Sequence, residues 1–249
     1  MSLFDNMNKN VAANATQSNQ KVQNVPFGNA DDEVFEQPLS TVEANKLIRN
    51  TYTLLSMTLL FSALMAGVAM VTKMAPLHFV IVLVGYFGLL FLTSYLKNSV
   101  WGLVSVFALT GFMGLTLGPI ISLYLTIFTN GPQLVMMAFG ATAIIFLGLS
   151  GYALASRKDF SFLGGFLFVG ILVAFLAGIG AIVFNLPGLS LAVSAMFVLL
   201  MSGLILYQTS DMVHGRETNY IMATVTLYVT IYNLFISLLH LLGAFMGEK

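Results

Sequence analysis

Residues 207–220 read YQTSDMVHGRETNY, and an apolar run lies on either side. Asp211, His214, Arg216 and Glu217 put two carboxylates, an imidazole and a guanidinium into one short gap. Such a set can hold an ion, relay a proton, or tie neighbouring loops together by salt bridges. It can equally be a polar connection whose charges are solvated, and that plainer reading is favoured for most of it. Asp211, at the end of the preceding apolar run, is the one carboxylate placed to enter a bilayer. A charged Asp at the bilayer centre costs about 2.5–3.5 kcal/mol on insertion scales, so one kept there would mark function. Near the interface the cost falls, and a solvated Asp211 is expected.

A second set lies downstream. Thr226, Thr230, Asn233, Ser237 and His240 follow one another at spacings of 4, 3, 4 and 3, which puts all five on one stripe of a helix. Lipid does not solvate these groups, so the stripe is expected to face a protein interior. It could line an ion path; the favoured reading is interhelical hydrogen bonding, worth about 0.6 kcal/mol per contact. Upstream, residues 111–120 read GFMGLTLGPI. Gly118-Pro119 inside an apolar run is expected to kink or break the helix. Broken spans can line ion sites, but a packing kink is the simpler expectation, and Gly111, Gly114 and Gly118 invite close helix contact.

One apparent pair is set aside. Gly148-Leu149-Ser150-Gly151 and His240 imitate the serine and histidine of an intramembrane rhomboid-type protease. That dyad needs the two side chains within about 2.6–3.2 Å. The span directions derived below put Ser150 and His240 near opposite faces, roughly 15–20 Å apart in depth. HExxH is absent, and the last apolar run has no Lys for a Schiff base. No catalytic residue, cofactor site or metal site is expected.

The elements that must position these residues follow from composition. The chain has 249 residues, of which 58% are hydrophobic and 8% charged. Soluble domains carry roughly 25% charged residues, so lipid must be the solvent here. The zero net charge argues against nucleic acid as a partner, and the absence of Cys removes disulfides and thiolate chemistry. Residues 1–40 are polar, rich in Asn and Gln, and acidic through Asp31, Asp32, Glu33 and Glu36. They have no apolar core of the signal type and read as a disordered cytosolic tail. Ser40 with Glu43 makes a capping-box pattern, which starts a helix near Thr41. Residues 41–249 form the membrane domain.

A spanning helix needs about 20 mostly apolar residues. Seven segments qualify, near 51–72, 77–96, 101–123, 133–155, 162–184, 189–207 and 220–245. The predicted fold is an all-α, seven-helix membrane bundle. Its loops are short, so consecutive helices are expected to be antiparallel neighbours. Lys46, Arg49, Lys97, Arg157, Lys158 and Arg216 fall on one side, while the other has Lys73 and Lys249. The bias predicts a cytosolic N-terminus and an external C-terminus, and makes 207–220 a cytosolic connection.

Several stretches together carry a resemblance. LIRNTYTLLSMTLLFSA, GFMGLTLGPI, SRKDFSFLGG and GRETNYIMATVTLYVTIYNLFISLL are similar to the Bax inhibitor-type (TMBIM) transmembrane family from about residue 40 to the end. The resemblance implies seven helices around a central last one, no enzymatic activity, and a place in the bacterial inner membrane. It includes a bacterial member that modulates the membrane-anchored AAA protease FtsH, which implies FtsH as partner. Other members leak calcium through a gate made of two carboxylates. Those positions fall on Gln208 and Thr230, neither of which titrates. Asp211, one turn nearer the cytosol, could stand in for part of that gate. A passive calcium or proton leak is therefore the alternative to protease modulation.

Overall fold

The computed structural model describes residues 41–248, and the predicted tail, 1–40, lies outside them. Seven helices follow in order: α1 Thr41–Val71, α2 Phe79–Leu96, α3 Val100–Ile127, α4 Gly131–Ser156, α5 Leu163–Val183, α6 Pro187–Val213 and α7 Tyr220–Met246. All seven are long and apolar enough to cross a membrane. The helix start near Thr41 and the seven spans match the sequence expectation. The helices overrun the apolar segments: α1 begins at Thr41 and α6 continues to Val213. Apolar length measures the lipid-buried part of a helix, and backbone hydrogen bonding carries it further.

α7 packs chiefly against α1, α3, α4 and α6. None of residues 221–243 is exposed, as expected of a central helix. Ile221, Leu227, Tyr228 and Leu234 form the middle of the main core with Leu55, Leu109, Ile205 and Met212. Phe235 and Leu239 join Leu134 and Ala138 in a second, smaller cluster. The outer helices show their apolar side chains outward. Phe166, Phe168 and Leu172 on α5 are examples, as a lipid-facing surface requires.

α3 runs unbroken through Gly118-Pro119, so of the expected kink or break the break is absent. Pro119 is buried inside the helix, and removes only one backbone donor there. The glycines do the packing the sequence suggested. A Cβ at Gly111 would strike the Phe61 ring, at Gly114 the Ser62 backbone, and at Gly118 the Ala66 carbonyl at 2.6 Å. This face of α3 therefore lies directly on α1.

The loops after α2, α4 and α6 share one end of the bundle with the start of α1. At the other end the last residues fold back onto the loop after α3. The Thr129 N–H donates to the Glu248 carbonyl at 2.8 Å, and Asn130 Nδ2 to the Met246 carbonyl at 2.7 Å.

Candidate functional site

The stretch 207–220 is a built junction. α6 ends in a Schellman turn: Arg216 N–H donates to the Asp211 carbonyl and Gly215 N–H to the Met212 carbonyl, with Gly215 at φ 69°. Glycine, having no Cβ, takes that backbone geometry at the least steric cost. The turn sends the Arg216 side chain back over α6. Its Nε donates to Asp211 Oδ1 at 2.8 Å, and its Nη2 to Asp159 Oδ1 at 2.8 Å, with Nη1 on Asp159 Oδ2 at 3.2 Å. One guanidinium therefore joins the end of α6 to the loop after α4.

The same loop is held a second time. Phe160 N–H donates to Ser210 Oγ at 3.0 Å, and that hydroxyl donates to the Lys158 carbonyl at 3.3 Å. Asn219 fastens a third loop. Its Oδ1 caps α7 by accepting from the N–H groups of Ile221 and Met222. Its Nδ2 donates to the Lys97 carbonyl and to Asn98 Oδ1, at 3.1 and 2.9 Å. Hydrogen bonds from the Arg216 side chain and from the Ser161 N–H hold the Asp159 carboxyl far below the usual carboxylate range. Burial opposes the charge of Arg216, but its hydrogen bonds to Asp159 and Asp211 outweigh that and raise its pKa. Asp211 is neither a solvated carboxylate nor a lone one in the membrane: its side chain is 13% exposed and paired.

One turn inward lies a hydroxyl cluster. Tyr52 Oη on α1 donates to Ser150 Oγ on α4 at 2.8 Å, and Ser150 Oγ lies 3.2 Å from Thr209 Oγ1 on α6. Gln208 is beside it in sequence and buried, and its Nε2 finds no partner among the described residues. Thr51 Oγ1 is likewise unpaired, although Thr224 Oγ1 donates to the Thr51 carbonyl at 3.3 Å. Ser150 is thus engaged near one end of the bundle. His240 Nδ1 meets Ser194 Oγ at 2.7 Å near the other, so the two do not form a dyad.

The predicted stripe on α7 turns inward, but mostly bonds to its own helix. Thr230 Oγ1 donates to the Thr226 carbonyl and Asn233 Nδ2 to the Val229 carbonyl. The His240–Ser194 pair is its interhelical hydrogen bond, and Ser237 is buried without a bridging role. The ties between helices come from a row the sequence reading overlooked: Thr224, Tyr228 and Tyr232. Tyr228 Oη sits 2.6 Å from Ser62 Oγ and also donates to the Thr110 carbonyl at 3.2 Å. Tyr232 Oη meets Thr116 Oγ1 at 2.9 Å. The 4-residue spacing of these residues was the available signal, hidden because tyrosine in an apolar run reads as filler.

A family model described as "Inhibitor of apoptosis-promoting Bax1" matches residues 44–247. The chain belongs to the Bax inhibitor family. Among curated relatives, an uncharacterised protein of Pseudomonas aeruginosa is 52% identical over 206 residues, 83% of this chain and 92% of that protein. A protein of Escherichia coli K12 named "Modulator of FtsH protease YccA" is 48% identical over 204 residues, 82% of this chain and 92% of its own length. An uncharacterised membrane protein of Vibrio cholerae is 43% identical over 204 residues, 82% of this chain and 91% of that one. This Bax inhibitor-family chain carries an amide and a hydroxyl at Gln208 and Thr230, the positions where the resemblance puts the gate carboxylates. Thr230 is fully buried and spends its hydroxyl on its own helix.

Proposed function

We propose that this protein is a multi-pass protein of the bacterial inner membrane that binds an FtsH-type AAA protease and restrains it. One observation carries the reading: the chain matches nearly the full length of a relative named as a modulator of that protease, at 48% identity. The fold supplies a mechanism. A protease that extracts membrane clients must pull helices apart in order. A bundle whose last helix is sealed on all sides, and whose loops are fastened to one another, resists that pull. It occupies the protease while other clients wait. The bias of Lys and Arg supports a cytosolic place for the N-terminus and the 207–220 junction. There the polar residues 1–40 offer a handle.

The test is turnover of a membrane client by purified FtsH in proteoliposomes, with and without a few-fold excess of this protein. Slower client turnover that disappears on deleting residues 2–35 is the expected result. Unchanged turnover, with this protein neither bound nor consumed, would end the reading. Two observations weigh against the ion-leak alternative: its two gate positions lack carboxylates, and Asp211 is committed to Arg216.

A further inference from the structure

We infer that the Arg216–Asp159–Asp211 cluster, with Asn219, is a clasp that sets how strongly the bundle resists extraction. This deepens the proposed function and rests on it. Withdrawal from the N-terminus loads α1 first, and then α2 with the loop that follows it. That loop is held by Asn219 Nδ2 through the Lys97 carbonyl and Asn98 Oδ1. Further along the chain, α4 and α5 are joined by the loop that Arg216 and Ser210 hold. Residues 215–219 therefore lace the loops after α2, α4 and α6 together at the end from which the pull comes. Each step of an ordered extraction must undo a tie to a part of the chain not yet reached.

The chemistry suits a tie that can be undone. The Asp159 side chain is half exposed and Arg216 about a third, so water can compete for the pair. Such a pair adds resistance without making the bundle permanently inextractable. The position of the cluster matters more than its strength. Tyr228 and Ser62 bind more deeply, but they tie α1 itself to α7 and are spent once α1 is withdrawn, whereas the loop ties are met as each later part of the chain is pulled.

The experiment uses the full chain and two readouts. The first is tryptic cleavage after Arg157 and Lys158 in detergent micelles, which reports whether the clasped loop opens. The second is consumption of this protein itself by FtsH in proteoliposomes. Arg216→Gln should raise both rates roughly threefold or more, the scale of a partly exposed ion pair with added hydrogen bonds. Because the chain has no Cys, Asp159→Cys with Arg216→Cys can be bridged by a short bis-maleimide. Bridging should bring both rates back to or below those of the unaltered chain, even if the unbridged variant is loosely folded. If Arg216→Gln opens the loop to trypsin but FtsH consumes it no faster, the clasp does not govern extraction. If bridging leaves consumption as fast as in the unbridged variant, the inference is likewise overturned. If the unaltered chain is neither bound nor consumed, the proposed function itself falls, and the trypsin readout shows separately whether the clasp closes the loop.

Discussion

Arg216 serves two carboxylates with one guanidinium, and this fixes how the junction responds to pH. The Asp159 carboxyl is held below its ordinary range, first by the hydrogen bond from Arg216 and then by that from Ser161. A group whose folded pKa is depressed contributes its stabilisation above the unfolded value, near 3.9 for aspartate, and loses it as pH falls further. The pair should therefore be constant from about pH 5 to 8. Melting curves of the unaltered chain and of Arg216→Gln should keep the same separation across that window. A separation that closes between pH 8 and pH 6 would show that a group other than Asp159 governs the junction. A second contrast lies on α7. Tyr228→Phe removes a hydroxyl bonded to both Ser62 and the Thr110 carbonyl, and should cost about 1 kcal/mol in an unfolding titration. Thr230→Val removes a hydroxyl bonded only to the carbonyl one turn back and should cost under about 0.5 kcal/mol. Equal losses would mean that the interhelical row is no more important than the predicted stripe.

Among the elements, the contact of α1 with α3 depends on residues that have no side chain. A Cβ at Gly114 would strike the Ser62 backbone, which cannot rotate away. Gly114→Ala should destabilise the protein by about 1–3 kcal/mol, the usual range for overpacking. Gly148→Ala, where no atom lies within 4 Å of the added carbon, should be neutral or slightly stabilising. Thermal melts of the two variants in one detergent would decide the point. The same elements show what the sequence could tell. Seven spans were legible because a stretch of lipid-buried helix has little freedom in length or polarity. The glycine contacts were legible because small residues recur at helical spacing. The end of α6 was not, since hydropathy falls at Gln208 while the helix continues on backbone bonds and on the buried Thr209 and Ser210. The role of the α7 stripe was misjudged for a related reason. A polar stripe points to the interior only when the opposite face meets lipid. α7 has no lipid face over 221–243, so Tyr228, about 200° around the helix from Thr226, was equally free to carry the ties. The Arg216 clasp was legible as a charge cluster but not as a junction, because its partner Asp159 lies 57 residues away in sequence.

For the whole molecule, the arrangement of α7 bears on whether an ion could pass at all. An ion path along this helix needs a row of polar groups with room beside them. Here the inward groups are in packed contact: Thr224, Thr230 and Tyr228 are 1% exposed or less, and Ser237 is 6% exposed. The hydroxyls of Thr224, Thr230 and Tyr228 are committed to carbonyls and, for Tyr228, also to Ser62, and the two gate positions lack the charge that would draw a cation in. Liposomes holding the purified chain should therefore take up calcium no faster than protein-free liposomes at either pH 6 or pH 8. Gln208→Asp with Thr230→Asp adds the missing carboxylates without opening the packing. Whatever the protonation of these carboxylates, flux should stay at the protein-free level, because charge alone does not make a channel through a filled core. Flux that appears in the double variant and changes between pH 6 and pH 8 would mean that the packing yields when the gate is charged. A latent ion path would then exist beneath the protease-restraining bundle, and the leak reading would replace the one proposed here.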